Sequence, residues 1–254
     1  MKKIHPFKTI CEWCQRHHQT FSSFMTDFIA TVLGIILTFG TTMWYEKQQK
    51  AEAADALVER CLSNMKSRLS NLEKVVQYYD RKDQLYWMAT HQSLDSLSNE
   101  DIYQLIDVFT WPNSLIVNHA YENSFSQSVN SHEILGSFAN VIAIGFEDLR
   151  VAEENHEEIN RLKKELRRNQ IVEHHASWDQ SNMRQFVTTV LIDPEFVYMQ
   201  QEYSQHEQYI RVLYNYLQLF VPEAHRLWNK EITEEEFWKT TQNRWSSSTS
   251  LSTP

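Results

Sequence analysis

The stretch FIATVLGIILTFGTTMWY, residues 28–45, contains no charged residue, and no comparable stretch recurs along the 254 residues of the chain. A helix from Phe24 to Trp44 is about 31 Å long at roughly 1.5 Å per residue, which is enough to cross the hydrocarbon core of a bilayer. Trp44 and Tyr45 close the stretch, and amphipathic aromatic rings of this kind favour the headgroup layer. The sequence therefore predicts a transmembrane helix over residues 24–45.

The residues on either side of this helix predict its orientation. The tail before it, residues 1–23, holds four Lys or Arg residues, and residues 46–60 hold three. Because cytoplasmic flanks carry the excess of Lys and Arg, the count favours a cytoplasmic N-terminus and a large domain on the outer side of an inner membrane. A cleaved signal peptide is the alternative, but the leader before the apolar run is long for one.

Small residues recur at every fourth position of the predicted span, at Ala30, Gly34, Thr38 and Thr42. Residues with this spacing share one face of a helix, and small side chains allow two membrane helices to approach closely. The pattern predicts a contact face for a second membrane helix. The alternative is that these small residues simply face lipid.

The composition beyond the anchor predicts an all-α domain. From Glu46 to the C-terminus the chain contains two glycines, Gly136 and Gly145, and three prolines before the terminal one. A β-protein of this length needs many more turn residues, whereas Glu, Gln, Leu, Lys and Arg favour helices. We expect the anchor to continue into an extracytoplasmic, antiparallel helical bundle over residues 46–245, followed by a disordered serine-rich tail over residues 246–254.

The first bundle helix is predicted to continue from the membrane without a break, since residues 46–80 contain no Gly or Pro. Its apolar positions follow a 4-3 spacing, which favours the inner face of a bundle over a coiled coil because further apolar residues widen the stripe. The positions are Val58, Leu62, Met65, Leu69, Leu72, Val76 and Tyr79.

Capping residues predict where the next helices begin. Ser98, with Asp101 three residues later, predicts a helix that ends by Trp111-Pro112, and a helix around residues 117–128 follows. Ser131 is expected to cap a long helix. The apolar stripe of that helix contains Leu135, Phe138, Ile142, Gly145, Leu149, Ala152, His156 and Ile159.

The C-terminal third is predicted to contain two more helices after a polar break at residues 169–179. Asp193-Pro194 is a helix start, Pro222 is expected to end that helix, and Thr233 with Glu236 forms a capping box for the last one. The stripe of the first of these helices contains Phe196, Met199, Tyr203, His206, Ile210, Leu213, Leu217 and Phe220.

Three segments resemble a family of uncharacterised bacterial single-span membrane proteins. The run from Val32-Leu33-Gly34-Ile35-Ile36-Leu37 to Trp44 and Glu46 is similar to the V-x-G-I…W-x-E signature of that family. Tyr121-Glu122-Asn123 resembles its Y-E-[NS] element, and Asp193-Pro194-Glu195-Phe196 resembles the start of a later helix. The resemblance implies a short cytoplasmic tail, one anchor and a helical domain, and it implies no activity.

Two histidines on apolar stripes are candidate metal ligands. His156 and His206 each follow a glutamate by about one helical turn, Glu153 and Glu202. Glu-x-x-His on facing helices is the arrangement of di-iron bundles, although the second spacing here is one residue longer. The alternative is a pair of histidines at the edge of the core that bond to nearby carboxylates.

The tail contains a second candidate, Cys11-x-x-Cys14 followed by His17. Thiolate and imidazole groups are ligands for zinc, and a CxxC pair can grip one ion or serve redox chemistry. The alternative is a short tail that rests at the membrane surface. Beyond the anchor Cys61 is the one remaining cysteine, so no disulfide within the chain is expected there.

The net charge and the absence of common catalytic motifs argue against two classes of function. From Glu46 onward there are 20 Lys and Arg (24 in the chain less four in the tail) and 31 Asp and Glu (33 less Glu12 and Asp27), a net charge of −11. This argues against a nucleic-acid partner, which requires a basic face. No phosphate-binding glycine loop, G-x-S-x-G or H-E-x-x-H motif is present, so neither catalysis nor a cofactor is expected.

Three functions remain open. The first is a membrane-anchored interaction protein whose bundle binds another envelope protein or a second copy of itself. The second is a receptor-like sensor that binds a small ligand between its helices and signals through a partner membrane protein. The third is a metal-binding bundle that uses His156 and His206.

Overall fold

The computed structural model describes residues 6–92, 94–110, 112–115, 117–130, 136–166, 183–191 and 194–250. Within these ranges every regular element is helical, which confirms the all-α prediction for the described chain. A 3₁₀ turn at Leu94–Ser96 follows the first helix. The α-helices are α1 Pro6–His91, α2 Asn99–Thr110, α3 Ala120–Asn130, α4 Gly136–Leu166, α5 Met183–Leu191, α6 Pro194–Trp228 and α7 Glu234–Ser250.

The chain divides into two compact units, Met1–Asp55 and Ala56–Pro254. Helix α1 contributes to both and has no break between residues 46 and 80, as the absence of Gly and Pro predicts. In the first unit the apolar side chains from Phe24 to Tyr45 are exposed. By length and composition α1 therefore contains one segment that can cross a membrane.

Three long helices form the centre of the second unit. Glu59 of α1 accepts a hydrogen bond from Trp228 near the end of α6, and Lys82 pairs with Glu207 nearer its start. These pairs make α1 and α6 antiparallel. Along α4 the order is the same as along α1, since Arg68 meets Glu153 and Lys163 meets Tyr78.

Helices α2 and α3 form the return between α1 and α4. Asp101 of α2 pairs with Arg81 near the end of α1 at 2.8 Å, and Glu122 of α3 pairs with Arg68 further back at 3.1 Å. The pair α2–α3 thus runs back along α1 as one interrupted leg. Successive legs of the bundle are antiparallel, with α1 and α4 in one direction and α2–α3 and α6 in the other.

The predicted stripes form the core. Every described member of the α4 stripe is buried, the α6 stripe is buried except for half-buried His206, and the α1 seam is buried except for half-buried Leu69. A seam buried within one chain confirms the bundle over the coiled coil. At Gly145 a β-carbon would lie 3.0 Å from both Met65 and Phe220, so this glycine allows α1 and α6 to approach α4 closely.

Both described capping boxes are confirmed. The Asp101 amide donates to Ser98 Oγ at 3.1 Å and the Ser98 hydroxyl donates to Asp101 Oδ2 at 2.7 Å. The Glu236 amide donates to Thr233 Oγ1 at 3.2 Å, and Glu236 Oε2 accepts from the Thr233 amide at 2.8 Å. Helix α2 ends at Thr110, before Pro112 as predicted.

One predicted helix end is wrong. Pro222 lies inside α6, which continues to Trp228, because Val221 and Ala224 are buried and their packing outweighs the hydrogen bond that proline cannot make. The described backbone of α7 is helical to Ser250. The disorder expected for the tail over residues 246–254 stays a prediction. Ser131, Asp193 and residues 169–179 lie outside the described residues.

Candidate functional site

His156 is fully buried where α4 faces α1 and the segment after α2. Its Nδ1 lies 2.6 Å from the Tyr79 hydroxyl, and its Nε2 contacts the backbone oxygen of Asn113. A carbonyl oxygen only accepts hydrogen bonds, so Nε2 carries the proton and Nδ1 accepts the Tyr79 proton. Burial lowers the pKa of His156, which keeps the ring neutral, as this arrangement requires.

Asn160 holds the same segment one turn further along α4. Its Oδ1 accepts from the Asn113 amide at 2.9 Å, and its Nδ2 donates to the Asn113 backbone oxygen at 3.0 Å. Together, His156 and Asn160 satisfy both backbone groups of Asn113. Their role in the described structure is to fasten the α2–α3 leg to α4.

The structure does not bring the four predicted metal ligands together. Glu153 binds the Arg68 guanidinium through both oxygens, at 2.8 and 2.6 Å. His206 Nδ1 donates to Asn155 Oδ1 at 2.8 Å, and Glu202 is half-buried on α6. Across the described ranges, no group of three or more His, Cys, Asp or Glu side chains could hold a metal ion.

Arg68 links three helices inside the bundle. Its side chain is 2% exposed, and it pairs with Glu153 of α4 and with Glu122 of α3. The guanidinium also lies 5.6 Å from the centre of the Phe146 ring, within the range of a cation–π contact. Burial lowers the pKa of Arg68, the two carboxylates raise it, and the net shift is upward, so the arginine remains charged.

A second ionic group lies between α1 and α6. Lys82 and Glu207 have side chains 3% and 1% exposed, and the lysine Nζ donates to Glu207 Oε2. Burial raises the pKa of Glu207, although Lys82 acts in the opposite direction. In the described structure Glu207 Oε1 and the Tyr203 hydroxyl are buried without a hydrogen-bond partner. The centre of the bundle is therefore polar on its α6 side.

Lys163 of α4 adds a further cation to this group. It is 1% exposed, its Nζ lies 3.4 Å from the Tyr78 hydroxyl, and it sits 4.8 Å from the centre of the Tyr78 ring. Burial lowers the pKa of Lys163 to about 8, and Lys82 adds to the effect while Glu207 opposes it. Its described contacts include no hydrogen bond to a carboxylate. Chemically, this is a polar centre with two buried cations, Lys82 and Lys163, and one buried carboxylate, Glu207, while exposed Asp83 also pairs with Lys82.

The predicted contact face of the membrane segment is exposed along its length. Ala30, Gly34, Thr38 and Thr42 are exposed, and a β-carbon at Gly34 would meet nothing within 4 Å. The Thr38 hydroxyl donates to the Gly34 backbone oxygen at 2.8 Å, and the Thr42 hydroxyl donates to that of Thr38 at 2.8 Å. Since each hydroxyl bonds within its own helix, the face is effectively apolar.

The tail candidates lie in α1, which begins at Pro6. Cys11, Cys14 and His17 belong to its helical backbone, and their side chains lie outside the described part of the structure. The zinc or redox hypothesis for the tail therefore stays a prediction. Burial raises the pKa of the Cys61 thiol in the bundle to about 12, which makes it a poor nucleophile.

Sequence reasoning missed the buried ions because the predicted stripes included no Lys, Arg, Asp or Glu. Lys82 follows Tyr79 by three residues, Glu207 follows Tyr203 by four and Lys163 follows His156 by seven, so each falls on an apolar stripe. A charged residue at a stripe position signals a buried partner, and that signal is present in the sequence.

No family model, curated protein or solved structure matches this chain.

Proposed function

We propose that this chain is a single-span, membrane-anchored interaction protein whose helical bundle binds another envelope protein or a second copy of itself. The observation that carries the proposal is the apolar segment from Phe24 to Tyr45, whose large side chains are exposed. A soluble protein seldom exposes a contiguous apolar surface of this extent, and a bilayer accounts for it.

The proposed location is an inner membrane, with the N-terminus in the cytoplasm and the bundle outside. The support is the excess of Lys and Arg in residues 1–23 over residues 46–60, four against three. The resemblance to single-span bacterial membrane proteins implies the same topology. We propose no catalytic role, because the buried polar side chains at the centre of the bundle contact one another.

The contacts of the histidines favour an interaction protein over a metal protein. Both ring nitrogens of His156 make hydrogen bonds within the bundle, and Glu153 is occupied by Arg68. A metal ion would have to displace these partners from a buried position. We expect His156→Ala to weaken the bundle without removing any bound metal, which elemental analysis of the purified variant would check.

The first test is a native mass spectrum of the full-length protein, purified from its own membranes at native expression level. A stoichiometric second protein, or an integral multiple of the subunit mass, is the expected result. A bare monomer would overturn the proposal. A monomer that carries a small-molecule adduct would instead favour the sensor.

The membrane face is tested by Gly34→Ile, with Gly40→Ile as its matched control. A side chain at either glycine would meet nothing of its own chain within 4 Å. The two positions lie on different sides of the helix, because six residues turn it by about 240°. We expect Gly34→Ile to weaken a complex that Gly40→Ile preserves. Equal behaviour of the two variants would count against this face.

A sensor is the second candidate, and one observation favours it. Lys163 is a buried cation, and Tyr203 and Glu207 each keep a buried polar atom without a described partner. A small ligand with an anionic group for Lys163 and a hydrogen-bond donor for Glu207 Oε1 would suit such groups. The expected signature is a mass adduct that Lys163→Met removes, and the absence of any adduct from the purified protein would eliminate this candidate.

A further inference from the structure

The second unit exposes few large apolar side chains, and most of them lie together. Its described exposed members are Trp87, Tyr103, Val197, Tyr198 and Tyr209. Three of these five fall within thirteen residues of α6, where Tyr198 is 61% and Tyr209 is 45% exposed. Tyrosine is enriched at protein interfaces because it supplies contact area together with a polar end.

The exposed side of α6 also lacks charge. From residue 197 to residue 222 ten positions are exposed, and none of them is Asp, Glu, Lys or Arg. On α4, by contrast, six of the eight described exposed positions are charged. Protein surfaces ordinarily contain about 25–35% charged residues, so two or three would be expected among ten. Depletion of charge is a feature of interface centres.

Five of these residues form a continuous stripe, which we name the amide face: Tyr198, Gln201, Gln205, Gln208 and Tyr209. Steps of three and four residues keep them within an arc of about 100° on the helix. The three glutamines, bounded by two tyrosines, present both donors and acceptors. Of the three charged side chains in this segment, Glu207 is buried and Arg211 pairs with Asp80 and Asp83. The third, Glu202, is half-buried and lies beside the amide face, at its edge near Tyr209.

We propose that the amide face binds the amide face of a second copy of this chain. A carboxamide carries both a donor and an acceptor, so glutamines on two identical faces can pair with each other across a two-fold axis. Each copy has a net charge of −9, and two copies repel wherever their acidic surfaces meet. A face without charge allows them to approach without that repulsion.

The size of the surface sets the strength of the pair. From residue 197 to residue 222 the helix is about 39 Å long and about 10 Å wide, a strip of roughly 400 Å² per copy. Stable interfaces bury about 1,200–2,000 Å² in total, so this contact is weak between free molecules. Confinement of both copies to one membrane raises their effective concentration, and here the inference rests on the proposed function.

Cysteine cross-linking of the full-length protein tests the contact in membranes. Cys11→Ser and Cys14→Ser provide the background, because buried Cys61 is unreactive. Gln201→Cys, Gln205→Cys and Gln208→Cys are then oxidised singly. A disulfide needs Cα atoms within about 4.4–6.8 Å, so only residues near the two-fold axis join. Asn140→Cys on exposed α4 is the matched control.

The expected result is a dimer that forms with at least one of the three glutamine variants and not with Asn140→Cys. Cross-linking no greater than that of the control in all three would overturn the inference. A charge variant gives an independent readout. Gln201→Lys/Gln205→Lys places like charges on both faces and should abolish the dimer in the native mass spectrum, whereas Asn140→Lys/Ala143→Lys should preserve it.

The outcomes separate this inference from the proposed function. A complex with a different protein that Gln201→Lys/Gln205→Lys removes would exclude the second copy as the occupant and keep the interaction role. A dimer that survives these charges would place the contact elsewhere on the chain. A bare monomer in every spectrum would overturn both the inference and the function.

Discussion

Burial of the charged Lys163 side chain lowers the stability of the folded bundle. Its ammonium is almost fully buried, and its described neighbours are the hydroxyl and the ring of Tyr78. Burial in an apolar interior disfavours the charged form, so the pKa of Lys163 falls from 10.5 to about 8. At neutral pH the folded chain therefore carries a protonated lysine in an unfavourable position.

We predict that Lys163→Met raises the free energy of unfolding at pH 7 by about 3–4 kcal/mol, since the pKa falls from 10.5 to about 8 and one pKa unit corresponds to about 1.4 kcal/mol. Below pH 8 both the folded and the unfolded wild type hold this proton, and the full penalty applies. Between about pH 8 and 10.5 the unfolded state holds more of the proton, so wild-type stability rises with pH. The advantage of the variant should therefore shrink over that window.

Urea denaturation of the full-length protein in detergent, repeated from pH 7 to pH 10.5, measures this effect. Lys164→Met is the control, because that neighbouring lysine is exposed and should change stability by less than about 0.5 kcal/mol. A Lys163→Met protein that is less stable than wild type at pH 7 would show that the ammonium makes a net favourable contact.

At Gly145 of α4, side chains of α1 and α6 approach the α4 backbone closely. A β-carbon there would lie 3.0 Å from Met65 Sδ and from Phe220 Cε1, closer than such contacts ordinarily are. We predict that Gly145→Leu lowers the free energy of unfolding by about 1–3 kcal/mol through overpacking. Denaturant titration checks this, with Ala143→Leu at an exposed position of α4 as the control. If the two variants have similar free energies of unfolding, the Met65 side chain moves aside without a loss of stability.

At the scale of elements, apolar periodicity and capping residues predicted the helices correctly, whereas the proline expected to break a helix did not. The stripes on α1, α4 and α6 and the boxes at Ser98 and Thr233 depend on local spacing, which a sequence displays directly. The end predicted at Pro222 was wrong because tertiary packing overrides a local penalty. The uncharged face of α6 was also missed, since only the fold shows which polar positions are exposed.

Pro222 offers a prediction for α6 as an element. It is exposed within the helix, so alanine there loses little packing and restores an amide that can donate to the Gln218 backbone oxygen. We predict that Pro222→Ala raises the free energy of unfolding by about 1–3 kcal/mol, measured by urea denaturation.

Pro194→Ala is the matched control for this prediction. Pro194 is the first residue of the same helix, where proline is favoured because its amide would lack a helical partner. We expect that variant to change stability little. Destabilisation by Pro222→Ala would indicate that a bend at Pro222 is needed to position Ala224 and Phe237 in the core.

At the scale of the whole molecule, the sequence predicted the helical class and the segment that is apolar and long enough to cross a membrane, but neither the buried ions nor the uncharged face of α6. Helix-favouring composition and an uncharged stretch depend only on which residues are present, so they can be read from the sequence before the fold is known. Pairing of Lys82 with Glu207 joins residues far apart in the chain, and periodicity carries no information on which stripes meet. The proposed orientation in a membrane rests on four Lys and Arg residues before the apolar segment against three after it.

Labelling with a membrane-impermeant maleimide tests this orientation. Cys11 and Cys14 lie on the proposed cytoplasmic side, and buried Cys61, whose thiol pKa is raised to about 12, should stay unlabelled in the folded protein. We predict that the wild type is labelled in inverted inner-membrane vesicles and not in spheroplasts. Lys239→Cys, at an exposed position of α7, should show the reverse pattern in the Cys11→Ser/Cys14→Ser background.

Each outcome of the labelling has a distinct meaning, because an impermeant reagent reports only the side to which it is added. The opposite pattern in both proteins would reverse the orientation, so that the bundle and its amide face would meet partners in the cytoplasm. Labelling of the tail and the bundle from the same side would exclude a single crossing. Since two copies can pair through α6 only when their bundles share one side of the membrane, mixed orientation within one preparation would also weaken the proposed dimer.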